Sequence, residues 1–203
     1  MFKLVILLIV SYLIGSIPTA YITSKLKNNS DIRKTGSGNM GATNTLVIIG
    51  PLFGLIVYFV DLLKGIFPVL MARNIIGTDL AMGLCGMAAI LGHNFPVYVR
   101  FKGGKGVATT TGVIFGMHSV AAWLIYPIWI IFVLLTDQFI LSSLLCMLVV
   151  PGLLYIFTHS LTFVLFGSIY LIIGLFAHRN DIIKIISGSS QSARKSIKKY
   201  LSK

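Results

Sequence analysis

Two short stretches of this chain combine residue types suited to handling anions. In the first, Gly103-Gly104-Lys105-Gly106 follows Phe101-Lys102 and leads into Val107-Ala108-Thr109. Glycine lets the backbone come close to a ligand and adopt positive φ, so successive N–H groups can form a nest for phosphate oxygens. Lys102 and Lys105 add point charges for the same oxygens. A helix beginning near Val107, with Thr109 in its first turn, would aim its free N–H groups at that anion. The second stretch, Gly36-Ser37-Gly38-Asn39-Met40-Gly41-Ala42-Thr43-Asn44, sets hydroxyl and amide side chains on a glycine-rich backbone. Gly92-His93-Asn94-Phe95-Pro96 and His178-Arg179-Asn180-Asp181 contribute titratable groups. The plainer alternatives are a flexible turn at 103–106, a capping turn at 36–44 with Asn44 as a helix N-cap, and His178 as a favourable cation at a helix C-terminus.

Other chemistries find no support. No Gly-Lys-Ser/Thr sequence occurs, which excludes a nucleotide-hydrolysing phosphate loop. The four His and five Asp never take a metal-ligand spacing such as His-Glu-x-x-His. Cys85 and Cys146 lie in apolar runs without a Cys-x-x-Cys pair and read as reduced packing residues. Neither a metal nor a cofactor is expected.

The elements that must position these loops are membrane helices. The chain has 203 residues, 56% of them hydrophobic and 11% charged, against about 25% charged in a soluble domain. Its mean hydropathy is +0.93. An ordinary soluble protein, a disordered tail and a coiled coil are excluded, and one polytopic membrane domain over 1–203 is expected. Apolar segments cover residues 4–22, 46–72, 80–99, 107–118, 121–135, 139–157 and 161–177. Six approach or reach the roughly 20 residues of a spanning helix, and 107–118 is short enough for a half-span. The first segment follows Lys3 as a signal peptide would, but the polytopic remainder argues that it is kept.

Charge sets the orientation. The net charge is +12, and all five acidic residues are Asp. Fourteen of the 17 Lys and Arg fall between segments one and two, between three and four, or after segment seven. Basic loops mark the cytoplasmic side, which predicts seven helices, an outer N-terminus, an inner C-terminus and a basic cytoplasmic tail from about residue 178. The glycine-rich stretches and His178 then all fall at cytoplasmic helix ends, where one site can form from three loops. So basic and apolar a chain suits lipid headgroups or phosphorylated substrates, not nucleic acid. Asp61 and Lys64 share a helix face, and an ion pair bracing the bundle is the favoured reading for charges at that depth. His118 and His159 read as interfacial residues, and Trp123, Tyr126 and Trp129 as lipid or helix contacts.

The stretch Gly36-Ser37-Gly38-Asn39-x-Gly41-Ala42-Thr43-Asn44 resembles the first signature of the bacterial acyl-phosphate:glycerol-3-phosphate acyltransferases, the PlsY family. Asp61-x-x-Lys64-Gly65 is similar to that family too. Gly92-His93-x-Phe95-Pro96 and Phe101-Lys102-Gly103-Gly104-Lys105-Gly106-Val107-Ala108-Thr109 resemble its second signature, and His178-Arg179 the start of its third. The resemblance covers nearly the whole chain. It implies a seven-helix plasma-membrane enzyme that moves an acyl group from acyl phosphate to the 1-hydroxyl of glycerol 3-phosphate, giving lysophosphatidate, with no metal and no acyl-CoA. The His-x4-Asp motif of CoA-dependent acyltransferases is absent, in agreement. An acyl-phosphate-producing phosphate acyltransferase is an implied partner.

On this reading Lys102, Lys105 and the N–H groups of Gly103, Gly104 and Gly106 hold phosphate, with His93 and Thr109 alongside. Ser37, Gly38, Asn39, Gly41, Thr43 and Asn44 orient substrate oxygens. His178, with Arg179 and Asp181, binds phosphate or helps remove the hydroxyl proton. Ser37, Lys105 and His178 are the candidate catalytic residues, and the resemblance favours the substrate's own phosphate as the base. The chain departs from the family pattern in three places. Val47 stands where the family usually has Arg, Asp181 where it has Asn, and Ser190 where it has Glu. A phosphate site with one cation fewer and one anion more suits altered substrate preference, a slower enzyme, or a paralogue that binds acyl phosphate or phospholipid without turnover. A transporter of phosphorylated solutes fits less well, because the polar loops lie on one face and no internal repeat is visible.

Overall fold

The computed structural model describes residues 1–190 and 192–194, so Lys195, Lys198, Lys199 and Lys203 of the basic tail lie outside the described residues. Among the described residues the chain is all helical. The α-helices are α1 (Phe2–Ser16), α2 (Thr19–Asn28), α3 (Ala42–Ile48), α4 (Pro51–Ile75), α5 (Asp79–Asn94), α6 (Val107–Met117), α7 (Ser119–Thr136), α8 (Phe139–Thr158), α9 (Leu161–Ala177) and α10 (Arg179–Ile186), with 3-10 turns at Ile32–Lys34 and Val97–Val99. The chain packs as two compact units, Met1–Ser119 and Val120–Lys203.

Within the first unit α1 packs on α5, and α4 packs on α6, α5 and α3. Apolar surface gives no drive for helices to associate in lipid, so close backbone approach must supply contact, and small residues allow it. A Cβ at Gly65 of α4 would sit on the Thr109 carbonyl of α6, and one at Gly112 of α6 on the Leu62 carbonyl of α4. The α1–α5 crossing works alike: a Cβ at Gly15 would meet the Ala89 carbonyl, and one at Gly92 the Tyr12 carbonyl. Leu52, Leu55, Ile56, Phe59, Leu63 and Phe67 of α4 stay exposed, an outer face suited to lipid.

One sequence expectation changes here, and one, the short segment at 107–118, stands. Residues 4–22 read as one helix, but α1 stops at Ser16 and α2 starts at Thr19. Pro18 lacks the N–H that would continue the helix, and its ring crowds the carbonyl four residues back. The short segment at 107–118 becomes the eleven-residue α6, about 16 Å long against a hydrocarbon core of about 30 Å. Its last carbonyls are closed by α4: Arg73 donates from Nη2 to Gly116 O and Met117 O, both at 2.7 Å.

In the second unit α8 packs on α9, and α10 packs on both. Trp129 of α7 donates its indole N–H to Ser143 Oγ at 3.0 Å and stacks on Phe139, the helix contact expected of it. The axis bends by 68° between α9 and α10. Asp137, between α7 and α8, accepts from Ser192 Oγ at 2.6 Å and Arg194 N at 2.9 Å, and its carbonyl accepts from Ala193 N. Cys85 and Cys146 are both buried and free. Among the described residues five helices are long and apolar enough to cross a membrane: Phe2–Asn28 taken through its break, Pro51–Ile75, Asp79–Val99, Ser119–Thr136 and Phe139–Thr158. The bent pair α9 and α10 makes a sixth if it is counted as one span. The chain is thus a multi-pass membrane protein.

Candidate functional site

The first glycine-rich loop is built around Asn44. The plainer alternative of Asn44 as a helix N-cap does not hold: Asn44 sits inside α3, and Gly41 is the N-cap. Asn44 is buried, and its amide donates to the carbonyls of Ile32 (3.3 Å), Thr35 (3.1 Å) and Asn39 (3.0 Å). Its Oδ1 accepts from Ser37 N at 3.0 Å. The residue therefore ties its own loop together rather than facing outward. Gly36, at φ +59°, has its α-carbon so close to the Asn44 amide that a Cβ would overlap Oδ1. Ser37 and Thr43 are exposed on this framework, with Gly38, Asn39 and Gly41 half-buried.

The second loop folds onto the end of α5. His93 is buried, and its carbonyl accepts from Gly104 N at 3.1 Å. A Cβ at Gly103 would land on that carbonyl, and one at Gly104 on Nε2 of the His93 ring. Gly106 is the N-cap of α6 at φ +78°, against Asn94 Oδ1. Such a left-handed turn costs a side-chain-bearing residue about 1–2 kcal/mol. Lys102 is exposed and Lys105 half-buried on this turn. Thr109 is fully buried, and among the described residues its hydroxyl has no hydrogen-bond partner.

The two loops meet. The Met40 carbonyl of the first lies against Gly104 of the second. Arg33, just before the first loop, donates from Nη1 to Val99 O at 3.0 Å and is itself gripped by Asp31 at 2.8 Å. The hydrogen-bonded Arg33 guanidinium holds the Asp31 carboxyl at about 2, below its ordinary 3.8. Tyr12 of α1 donates from Oη to Phe95 O at 2.7 Å and fixes the start of the second loop. Sequence reasoning missed Asp31, Arg33 and Tyr12 as loop anchors. The Asp31-x-Arg33 spacing was the one available signal.

Beneath the loops lies the expected ion pair. Lys64 Nζ and Asp61 Oδ1 are 2.6 Å apart, and both side chains are buried. Lys64 Nζ also donates to Ile17 O at 2.7 Å, where α1 breaks. His93 Nδ1 is 3.9 Å from Asp61 Oδ1. Thr19, Met40, Asp61, Lys64, His93 and Pro96 line a small cavity there.

The third stretch belongs to the second unit. His178 is buried at the bend between α9 and α10, with Nδ1 2.9 Å from Gly174 O. Asp181 is buried one turn on, and its N–H donates to the His178 carbonyl at 2.8 Å. Arg179 is exposed, stacks over Phe176 and donates to its carbonyl at 3.0 Å.

A helical membrane unit that presents two interlocked glycine loops, with lysines, over a buried ion pair has the makings of an anion-handling membrane enzyme. Comparison with known proteins agrees. The family profile described as "Glycerol-3-phosphate acyltransferase" matches residues 5–188. A "Glycerol-3-phosphate acyltransferase 2" of Moorella thermoacetica is 38% identical over 182 residues, 90% of this chain and 93% of that protein. The "Glycerol-3-phosphate acyltransferase" of Macrococcus caseolyticus is 36% identical over 187 residues, 92% and 95% of the two chains. A crystal structure of PlsY (YgiH), described as an integral membrane glycerol 3-phosphate acyltransferase in its glycerol 3-phosphate form, superposes with a TM-score of 0.89 at 32% identity, covering 94% of this chain and 95% of that one. Its lysophosphatidic acid form gives 0.88 at 30% identity, covering 96% and 98%. The chain belongs to the glycerol-3-phosphate acyltransferase family.

Proposed function

We propose that this chain transfers an acyl group from acyl phosphate to the 1-hydroxyl of glycerol 3-phosphate, giving lysophosphatidate and phosphate. The observation that carries the reading is the loop Gly103-Gly104-Lys105-Gly106, pressed onto His93 and the Met40 carbonyl at the start of α6. It lies in a chain 32% identical to an acyltransferase solved in its glycerol 3-phosphate form. Acyl transfer to glycerol 3-phosphate follows from family membership. The acyl-phosphate donor, the residue roles and the topology are our reading.

The alcohol oxygen attacks the acyl carbonyl, a C–O bond forms, and the bond to phosphate breaks. Phosphate leaves readily, so the protein's work is positioning and stabilising developing charge. Lys102, Lys105 and the loop N–H groups hold phosphate oxygens. Ser37 and Asn39, on the framework that Asn44 ties, orient the glycerol substrate. The family resemblance assigns His178, with Arg179 and Asp181, to phosphate or to the hydroxyl proton. The hydroxyl proton passes to substrate phosphate. The protein lies in the plasma membrane with seven helical segments, its N-terminus outside and these loops at the cytoplasmic face. The acyl tail then arrives from the bilayer and glycerol 3-phosphate from water. A phosphate acyltransferase that makes acyl phosphate is the expected supplier.

The test is purified protein in lipid, given acyl phosphate and glycerol 3-phosphate, with phosphate and lysophosphatidate followed together and acyl-CoA as control donor. Product from acyl phosphate alone, and a Lys105→Ala variant weakened by roughly 3 kcal/mol of transition-state stabilisation, are expected. No product from the parent, or full activity in Lys105→Ala, overturns the reading.

A further inference from the structure

The ion pair under the loops sits where it can set their position. Asp61 and Lys64 belong to the middle of α4, and the chain leaving the end of α5 leads to the 103–106 loop. Lys64 bridges Asp61 at 2.6 Å and the Ile17 carbonyl at 2.7 Å, so one ammonium joins α4 to the last carbonyls of α1. The same Asp61 Oδ1 lies 3.9 Å from His93 Nδ1, too long for a hydrogen bond but close enough for electrostatic orientation. The opposite edge of that ring, Nε2, bears on Gly104, whose N–H is already held by the His93 carbonyl. A contiguous chain thus runs from Ile17 through Lys64, Asp61 and His93 to the loop that carries Lys105.

We propose that Asp61, Lys64 and His93 are positioning residues that set the height and tilt of the 103–106 loop, and that His93 acts through Gly104 rather than by touching substrate. The inference rests on the loop's role as phosphate cradle. Three features favour it over a purely bracing pair. Buried ion pairs add little net stability compared with apolar packing of the same shape, so bracing alone is a weak reason for one here. The pair spans three chain segments rather than stapling one helix to itself. The Gly104 backbone has no clearance: a single added methyl would overlap the imidazole, so ring orientation passes directly to the loop.

The test replaces both charges at once, because removing one partner leaves a buried unpaired charge. In Asp61→Leu/Lys64→Met, full-length and in lipid nanodiscs, hydrogen–deuterium exchange of peptides covering 103–106 should speed up by roughly tenfold, with α6 unchanged beyond its first turn. With acyl phosphate as donor, KM for one of the two phosphate-bearing substrates should rise roughly 10- to 100-fold, with a smaller change in kcat. Lys64→Arg, which keeps the charge, should restore slow exchange. Should the double variant fail to fold, His93→Gln leaves the ion pair intact and removes the ring beneath Gly104. Faster exchange confined to the loop then supports the proposal. Unchanged exchange at 103–106 in a folded variant overturns it. The exchange readout needs no turnover, so an inactive parent would refute the proposed reaction and leave this inference separately decided.

Discussion

Gly104→Ala places one methyl group between two loops that already touch. On the present backbone that methyl would overlap His93 Nε2 and lie 2.9 Å from the Met40 carbonyl oxygen. His93 is only 7% exposed and backed by Asp61, so the ring has little room to yield. The Met40 carbonyl is backbone and cannot rotate away by itself. The loop must therefore lift, and relief of such an overlap takes a shift of about 1 Å, enough to cost up to roughly 100-fold in a positioned reaction, or about 2.7 kcal/mol. Helix packing is untouched, so the stability loss should stay within the 1–3 kcal/mol typical of overpacking. The assay is phosphate release from acyl phosphate with glycerol 3-phosphate, beside thermal unfolding in the same lipid. Gly152→Ala is the control, because a Cβ at Gly152 of α8 meets nothing within 4 Å. If Gly104→Ala keeps kcat/KM within about threefold of the parent while folded, the loop is not held as tightly as its contacts say.

Other predictions follow from the anchors. Asp31 is held at about 2 against an ordinary 3.8, so its contribution is complete above pH 3.8 and lost as pH falls through 2. Thermal unfolding should show no dependence on this pair from pH 5 to 9, and Asp31→Asn should flatten part of the acid limb. Arg73→Met removes two charge-assisted bonds from the end of α6 and should cost about 2–3 kcal/mol, read as a lower melting temperature in nanodiscs. Val47→Arg with Asp181→Asn, restoring the family's usual residues, should raise kcat/KM. A parent that is inactive and is switched on by the pair would mark it as a binding paralogue.

Local chemistry in the sequence marked the loops that the proposed site is built on. Gly103 to Gly106 and Gly36 to Asn44 announce backbone freedom and anion-binding groups without reference to the fold, and Asp61 and Lys64 reveal their pairing through spacing on one helix. What stayed hidden depends on contacts distant in the chain. Tyr12 reaches Phe95 across 83 residues, Arg33 reaches Val99 across 66, and Arg73 reaches Gly116 across 43. Hydropathy periodicity carries no trace of such side-chain-to-backbone bonds. The internal role of Asn44 was hidden for a related reason: its type suits a cap or a ligand, and only the folded loop shows three carbonyls converging on its amide. The break in the first helix was legible at Pro18, yet the apolar run on both sides outweighed it.

The capping of α6 also shapes the electric field of the site. A helix carries about half a positive charge at its start and half a negative charge at its end. In α6 these ends are treated unequally. Arg73 lays a full cation on the terminal carbonyls, while Gly106 at the start offers no side chain to the first N–H groups. The negative pole is offset and the positive pole is left standing next to Lys105. This part of the potential comes from peptide dipoles and has no pKa. It would persist with the lysines removed, while the net positive field at this end would weaken if Arg73, at the far end of the helix, were lost.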